Sequence, residues 1–135
     1  MELNYRIASL DSCIILRLIR NDNTEQRNLA RDLLLNGQDF YVDDTAIMEV
    51  VHVLTREHVP REKIHQDVQL ILNNPMIIYD RKFFDPIFEK YASHPSLSFD
   101  DCVLEARAET KGALPLWTFD QKFARQSDVA RLLTY

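Results

Sequence analysis

Glycine is scarce in this chain of 135 residues, with only Gly37 and Gly112. A GxGxxG turn or a P-loop needs more, so nucleotide cradling by a glycine-rich loop is excluded. Cysteine is as rare: Cys13 and Cys102 stand far apart and outside any CxxC spacing. That excludes a disulfide framework and points to a reducing, cytoplasmic setting. Long apolar runs are missing too. Stretches such as Cys13 to Leu16 fall far short of the roughly 18 residues a membrane span takes, so no membrane association is expected. The opening Met1-Glu2-Leu3-Asn4 has neither a basic flank nor an apolar core, and no signal peptide is expected. A basic excess is also lacking, because 16 Lys plus Arg face 21 Asp plus Glu for a net charge of −5. This sign does not suit a general nucleic-acid coat, although it allows an enzyme whose acids hold a cation.

What is present is an ordinary globular composition, 46% hydrophobic and 27% charged, in a length that suits one domain over residues 1–135. Apolar residues change period along the chain. Short apolar runs at Tyr5 to Leu10, Phe40 to Val42, Met76 to Tyr79 and Leu114 to Thr118 read as strands, and Val129 to Leu133 as a last strand or turn. Between them lie helical patterns, the clearest being Ile47, Val50, Val51 and Leu54 at i, i+3, i+4 and i+7. Asn36-Gly37 and Lys111-Gly112 supply helix stops. Phe84, Phe88 and Tyr91 at helical spacing read as core or as a dimer surface. Strands alternating with helices predict an α/β fold with a central parallel sheet of four to five strands, flanked by helices on both faces.

Three acids fall where a strand and a helix meet. Asp11 follows the first strand, Asp120 follows Leu116-Trp117-Thr118-Phe119, and Asp101 opens the helix before that strand. In open parallel sheets, ligands gather outside the carboxyl ends of the strands. A fourth acid, Glu49, shares a stripe with Ala46 and Val53 beside the apolar face of its helix. Each has a plain alternative, since Asp11 and Asp120 fit helix N-caps, Asp101 follows Ser98 in a variant capping box, and Glu49 fits a wet helix face. If the four converge they need a cation, because two like charges at about 4 Å repel by roughly 4 kcal/mol at an effective dielectric of 20. Oxygen ligands select Mg²⁺ or Mn²⁺, and such a cation activates water for phosphodiester hydrolysis. The four histidines form no i, i+4 pair, which argues against zinc.

At these residues the sequence resembles the PIN-domain family, the PilT N-terminus-like ribonucleases, and most of all the VapC-type toxins of toxin–antitoxin pairs. The matching pieces are Ile7-Ala8-Ser9-Leu10-Asp11-Ser12, Ile47-Met48-Glu49-Val50-Val51, Leu97-Ser98-Phe99-Asp100-Asp101-Cys102 and Leu116-Trp117-Thr118-Phe119-Asp120-Gln121-Lys122-Phe123. The last is the most specific, with Thr118 two residues before its acid. The resemblance implies a single PIN-like domain whose first strand is central in the sheet. It implies an endoribonuclease dependent on Mg²⁺ or Mn²⁺, with Asp11, Glu49, Asp101 and Asp120 as catalytic and metal-holding acids. Ser12 and Thr118 are then the hydroxyls that orient them. A homodimer and a cognate antitoxin that blocks the site are implied as partners, beside the RNA substrate.

Two positions depart from the family pattern. Cys13 stands where many relatives have Asn, and Asp100 where they have a small residue before the third acid. Arg17, Lys122 and Arg125, a turn or two beyond the acids, suit phosphate contacts and equally suit solvated helix faces. Two rival readings remain open: a PIN fold that binds proteins without cutting, and a receiver-like domain with Asp80 as phospho-acceptor.

Overall fold

The computed structural model describes residues 6–135, and the chain falls into two units, Met1–Arg81 and Lys82–Tyr135. The first unit runs β1 (Ile7–Ser9), α1 (Ser12–Ile19), α2 (Thr24–Leu34), β2 (Asp39–Tyr41), α3 (Asp44–Arg56), α4 (Arg61–Leu72) and β3 (Ile77–Ile78). Tyr5, expected in the first strand, lies outside the described residues. The three strands are parallel in the order β1-β2-β3, with Ile7 opposite Asp39 and Tyr41 opposite Ile78.

β2, not β1, is therefore the middle strand of this sheet. Side chains alternate across a strand, and burial alternates here with them. Phe40 and Ile77 are buried, whereas Ile7, Tyr41 and Ile78 keep substantial exposure. The packed face of this sheet is the one that carries Phe40 and Ile77.

Helix α1 packs against α2, α3 and α4. It contributes Ile15 and Leu16, α3 contributes Ile47, Val50, Val51 and Leu54, and α4 contributes Ile64, Val68 and Leu72 to the buried set. Local chemistry sets the helix ends. Asn23 caps α2 by accepting the Gln26 N–H at 3.0 Å, and Asp43 caps α3 by accepting the Thr45 N–H at 3.0 Å. Pro60 is the N-cap of α4. Helix α3 stops without glycine: His58 takes φ 60°, while the Val59 and His58 N–H groups reach back to the carbonyls of Leu54 and Thr55 in a Schellman pattern.

The second unit carries α5, which starts at the boundary (Arg81–Ser93), then α6 (Phe99–Thr110), β4 (Leu116–Thr118), α7 (Gln121–Gln126) and β5 (Ala130–Leu132). The final segment is a strand, parallel to β4 with Leu116 opposite Ala130 and Trp117 opposite Arg131. Among the described residues the strands thus hydrogen-bond as a set of three and a set of two. The core of this unit is aromatic. Phe99 stacks on Phe84 at 6.5 Å, and lies 5.0 Å from Phe88 and 5.3 Å from an edge-on Tyr91. Such pairs add about 0.5–1.5 kcal/mol each beyond area burial. Phe84, Phe88 and Tyr91 are thus core residues.

Candidate active site

In the first unit, Asp11 stands between the last rung of β1 and the first turn of α1. The Leu10 N–H closes the ladder onto the Tyr41 carbonyl at 2.9 Å, and the Asp11 carbonyl accepts the Ile14 N–H at 3.0 Å. Asp11 holds the N-cap backbone geometry, yet its side chain caps nothing. Its Oδ1 instead accepts a hydrogen bond from Ser12 Oγ at 3.0 Å. Ser12 is buried and Asp11 is exposed, so a packed hydroxyl orients an accessible carboxylate. Capping is the plain alternative for Asp11, and the hydrogen bonding does not supply it.

Glu49 lies exposed on α3, with half-buried Ala46 and Val53 beside the packed face of Ile47, Val50, Val51 and Leu54. Arg17 is already engaged: its guanidinium pairs with Asp22 at 2.8 Å. Cys13 is exposed and Cys102 buried, so only the second is the small packed residue that both would be in a purely structural role.

A further acidic grouping surrounds the end of β2. Tyr41 Oη donates to Asp43 Oδ1 at 2.9 Å, and Thr45 Oγ1 donates to Asp43 Oδ2 at 2.6 Å. The hydroxyl and N–H of Thr45, followed by the Tyr41 hydroxyl, hold the Asp43 carboxyl below the usual carboxylate value. The same bond to Asp43, with the charges of Asp43, Asp44 and Asp80, raises the Tyr41 phenol.

In the second unit, Ser98 caps α6 by accepting the Asp101 N–H at 3.0 Å. Asp100 is exposed and Asp101 half-buried. Asp120 is a working cap, since its Oδ1 accepts the Phe123 N–H at 3.0 Å. Thr118 acts on the Asp120 backbone: its Oγ1 accepts the Asp120 N–H at 2.9 Å and tightens the turn from β4 into α7. Lys122 and Arg125 are exposed on α7.

Glu105, one turn after Asp101 on α6, has a role that the sequence does not anticipate. Glu105 is 1% exposed. Its Oε1 lies 2.9 Å from Lys90 Nζ, and its Oε2 accepts Ser127 Oγ–H at 2.5 Å. Ser127 Oγ in turn accepts the Val129 and Ala130 N–H groups. Glu105 therefore ties α6 to the turn between α7 and β5. Burial works against the charge of Lys90, but the bond and charge of Glu105 outweigh it and leave the ammonium pKa raised. The sequence offers one signal, an acid four residues after Asp101 amid small and apolar neighbours. Neither of its partners can be found by spacing. Leu104, the residue before it, is exposed.

The four predicted acids are carried by different units: Asp11 and Glu49 by the first, Asp101 and Asp120 by the second. Among the described residues, no three or more His, Cys, Asp or Glu side chains are grouped as a metal site. Asp11 and Ser12 are joined directly, as are Thr118 and Asp120. Among these residues, too, no helix is long and apolar enough to cross a membrane.

The protein-family model described as PIN domain matches residues 8–129, which takes in all four acids. No curated protein is a significant match.

Proposed function

Because this chain belongs to the PIN domain family, whose members are commonly nucleases using divalent metal ions, we propose that it is a metal-dependent endoribonuclease and the toxin of a toxin–antitoxin pair. Asp11, Glu49, Asp101 and Asp120 would hold Mg²⁺ or Mn²⁺. The observation that carries this reading is the state of Asp11. It occupies a cap position, leaves the helix uncapped, and is oriented by a buried serine hydroxyl. A carboxylate that serves only the fold has no need of that arrangement.

The donor chemistry fits a hard cation. The four acids offer oxygen alone, and no histidine belongs to the set. When bound, the cation lowers the pKa of a water and balances the charge that develops on the phosphodiester. The chain's own residues do the rest. Ser12 occupies Asp11 Oδ1 and keeps the side chain in one orientation. Thr118 holds the Asp120 backbone, while Asp120 uses Oδ1 on its helix and keeps Oδ2 for other work. Exposed Lys122 and Arg125 suit the RNA backbone. Arg17 would have to leave Asp22 to do the same.

Family membership replaces the receiver-like reading, and it does not favour a PIN fold without activity. Four to five strands in one sheet, a homodimer and a bound antitoxin belong to the same proposal. The test is cleavage of a mixed structured RNA by the purified protein with Mn²⁺, beside EDTA and Asp11→Asn controls. Cutting by the wild type with metal alone supports the enzyme. Cutting that persists in EDTA or in Asp11→Asn overturns the carboxylate–metal site.

A further inference from the structure

Large aromatic side chains are mostly buried in the second unit, but Trp117, Phe119 and Tyr135 are exposed. Trp117 is 60% exposed and Phe119 is 78% exposed. Both flank Thr118 and lead directly into Asp120. Trp117 lies opposite Arg131 in the β4–β5 register, so the two side chains share a face of that ribbon. The Arg131 guanidinium is steadied by the carbonyls of Asp128 and Ala130, at 3.3 and 2.9 Å. Lys122 and Arg125 stand exposed on the helix that Asp120 caps.

We propose that Trp117 and Phe119 are a base-stacking platform for single-stranded RNA next to Asp120, with Arg131, Lys122 and Arg125 taking the sugar–phosphate backbone. This rests on the ribonuclease reading above and adds to it the residues that select unpaired RNA. Exposed flat rings with a cation across the ribbon and two more on the following helix suit the bases and phosphates of a single strand. Bases in a duplex are stacked on one another and cannot lie on a protein ring. Purines offer the larger face, so the platform favours purine-rich single strands.

Trp117 is the only tryptophan in the chain, so its fluorescence reports on the platform without a label. The experiment adds oligoadenylate, oligouridylate and a short RNA duplex to the full-length protein in EDTA, where metal-dependent cutting is silent. Strong quenching by oligoadenylate, weaker quenching by oligouridylate and little by the duplex are expected. Phe119→Ala should weaken oligoadenylate binding about tenfold with an unchanged circular dichroism spectrum. Equal quenching by duplex and single strand overturns the proposal. So does tryptophan emission that is already blue-shifted and moves to the red on dilution, because a second copy then covers the face. Cleavage of the same RNAs with Mn²⁺ separates the two readings. Cutting without quenching removes the platform and leaves the nuclease. Quenching without cutting keeps the platform as a single-strand binding site and removes the nuclease.

Discussion

Asp11 and Asp120 occupy the same formal position, the N-cap of a helix after a strand, and do different things there. Asp11 leaves its helix uncapped and takes a hydrogen bond from Ser12. Asp120 caps α7 through Phe123. The difference yields separable expectations. Asp11→Asn should leave stability nearly unchanged and lower RNA cleavage more than about a hundredfold. Ser12→Ala should weaken metal dependence about 10–100-fold, the usual range for removing a group that orients a ligand. Metal titrations of cleavage, read beside circular dichroism, check both. Asp120→Asn keeps a good cap and should abolish cutting in a folded protein, whereas Asp120→Ala should also lose about 1 kcal/mol. Equal stability of the two Asp120 variants under urea would remove the capping role.

Helix ends show how local chemistry and tertiary demand divide the work. Helix α6 finishes as its sequence predicts, with Gly112 at φ 63°. Helix α3 reaches the same left-handed turn with His58, where a side chain crowds the backbone. His58→Gly should therefore raise stability by about 1 kcal/mol, measured as an increase in the urea midpoint. At the other end of α3, the bonds from Thr45 and Tyr41 hold the Asp43 carboxyl below the usual carboxylate range. A depressed carboxylate adds stability above its unfolded pKa and loses it as pH falls through the folded value. Melts at about pH 5 and about pH 3 should show a smaller acid-induced drop for Asp43→Asn than for wild type. Equal drops would mean the Thr45 and Tyr41 bonds do not favour the ionised form.

At the scale of the whole molecule, carboxylates brought together without a cation repel, and a bound cation removes that cost. Mg²⁺ or Mn²⁺ at a hundredfold excess over its Kd should stabilise the wild type by about 2.7 kcal/mol. Thermal melts should show an upward Tm shift that is lost in Asp11→Asn. An unchanged Tm in the wild type would return the inert PIN module to consideration.

Periodicity and punctuation determined a great deal here. Apolar spacing located the helix of Ile47, Gly37 and Gly112 marked true turns, and three acids at element boundaries with a fourth on a helix pointed to the family that the chain proved to join. These signals are local, because helix faces, caps and stops depend on residues a few positions apart. What only the tertiary structure decided depends on residues distant in sequence. Strand order put β2 between β1 and β3, since hydrogen-bonded neighbours leave no mark on spacing. The Lys90–Glu105–Ser127 tie and the exposure of Trp117 and Phe119 were equally hidden. An isolated sequence shows which side chains are apolar or charged, but packing alone decides which of them are covered and by what.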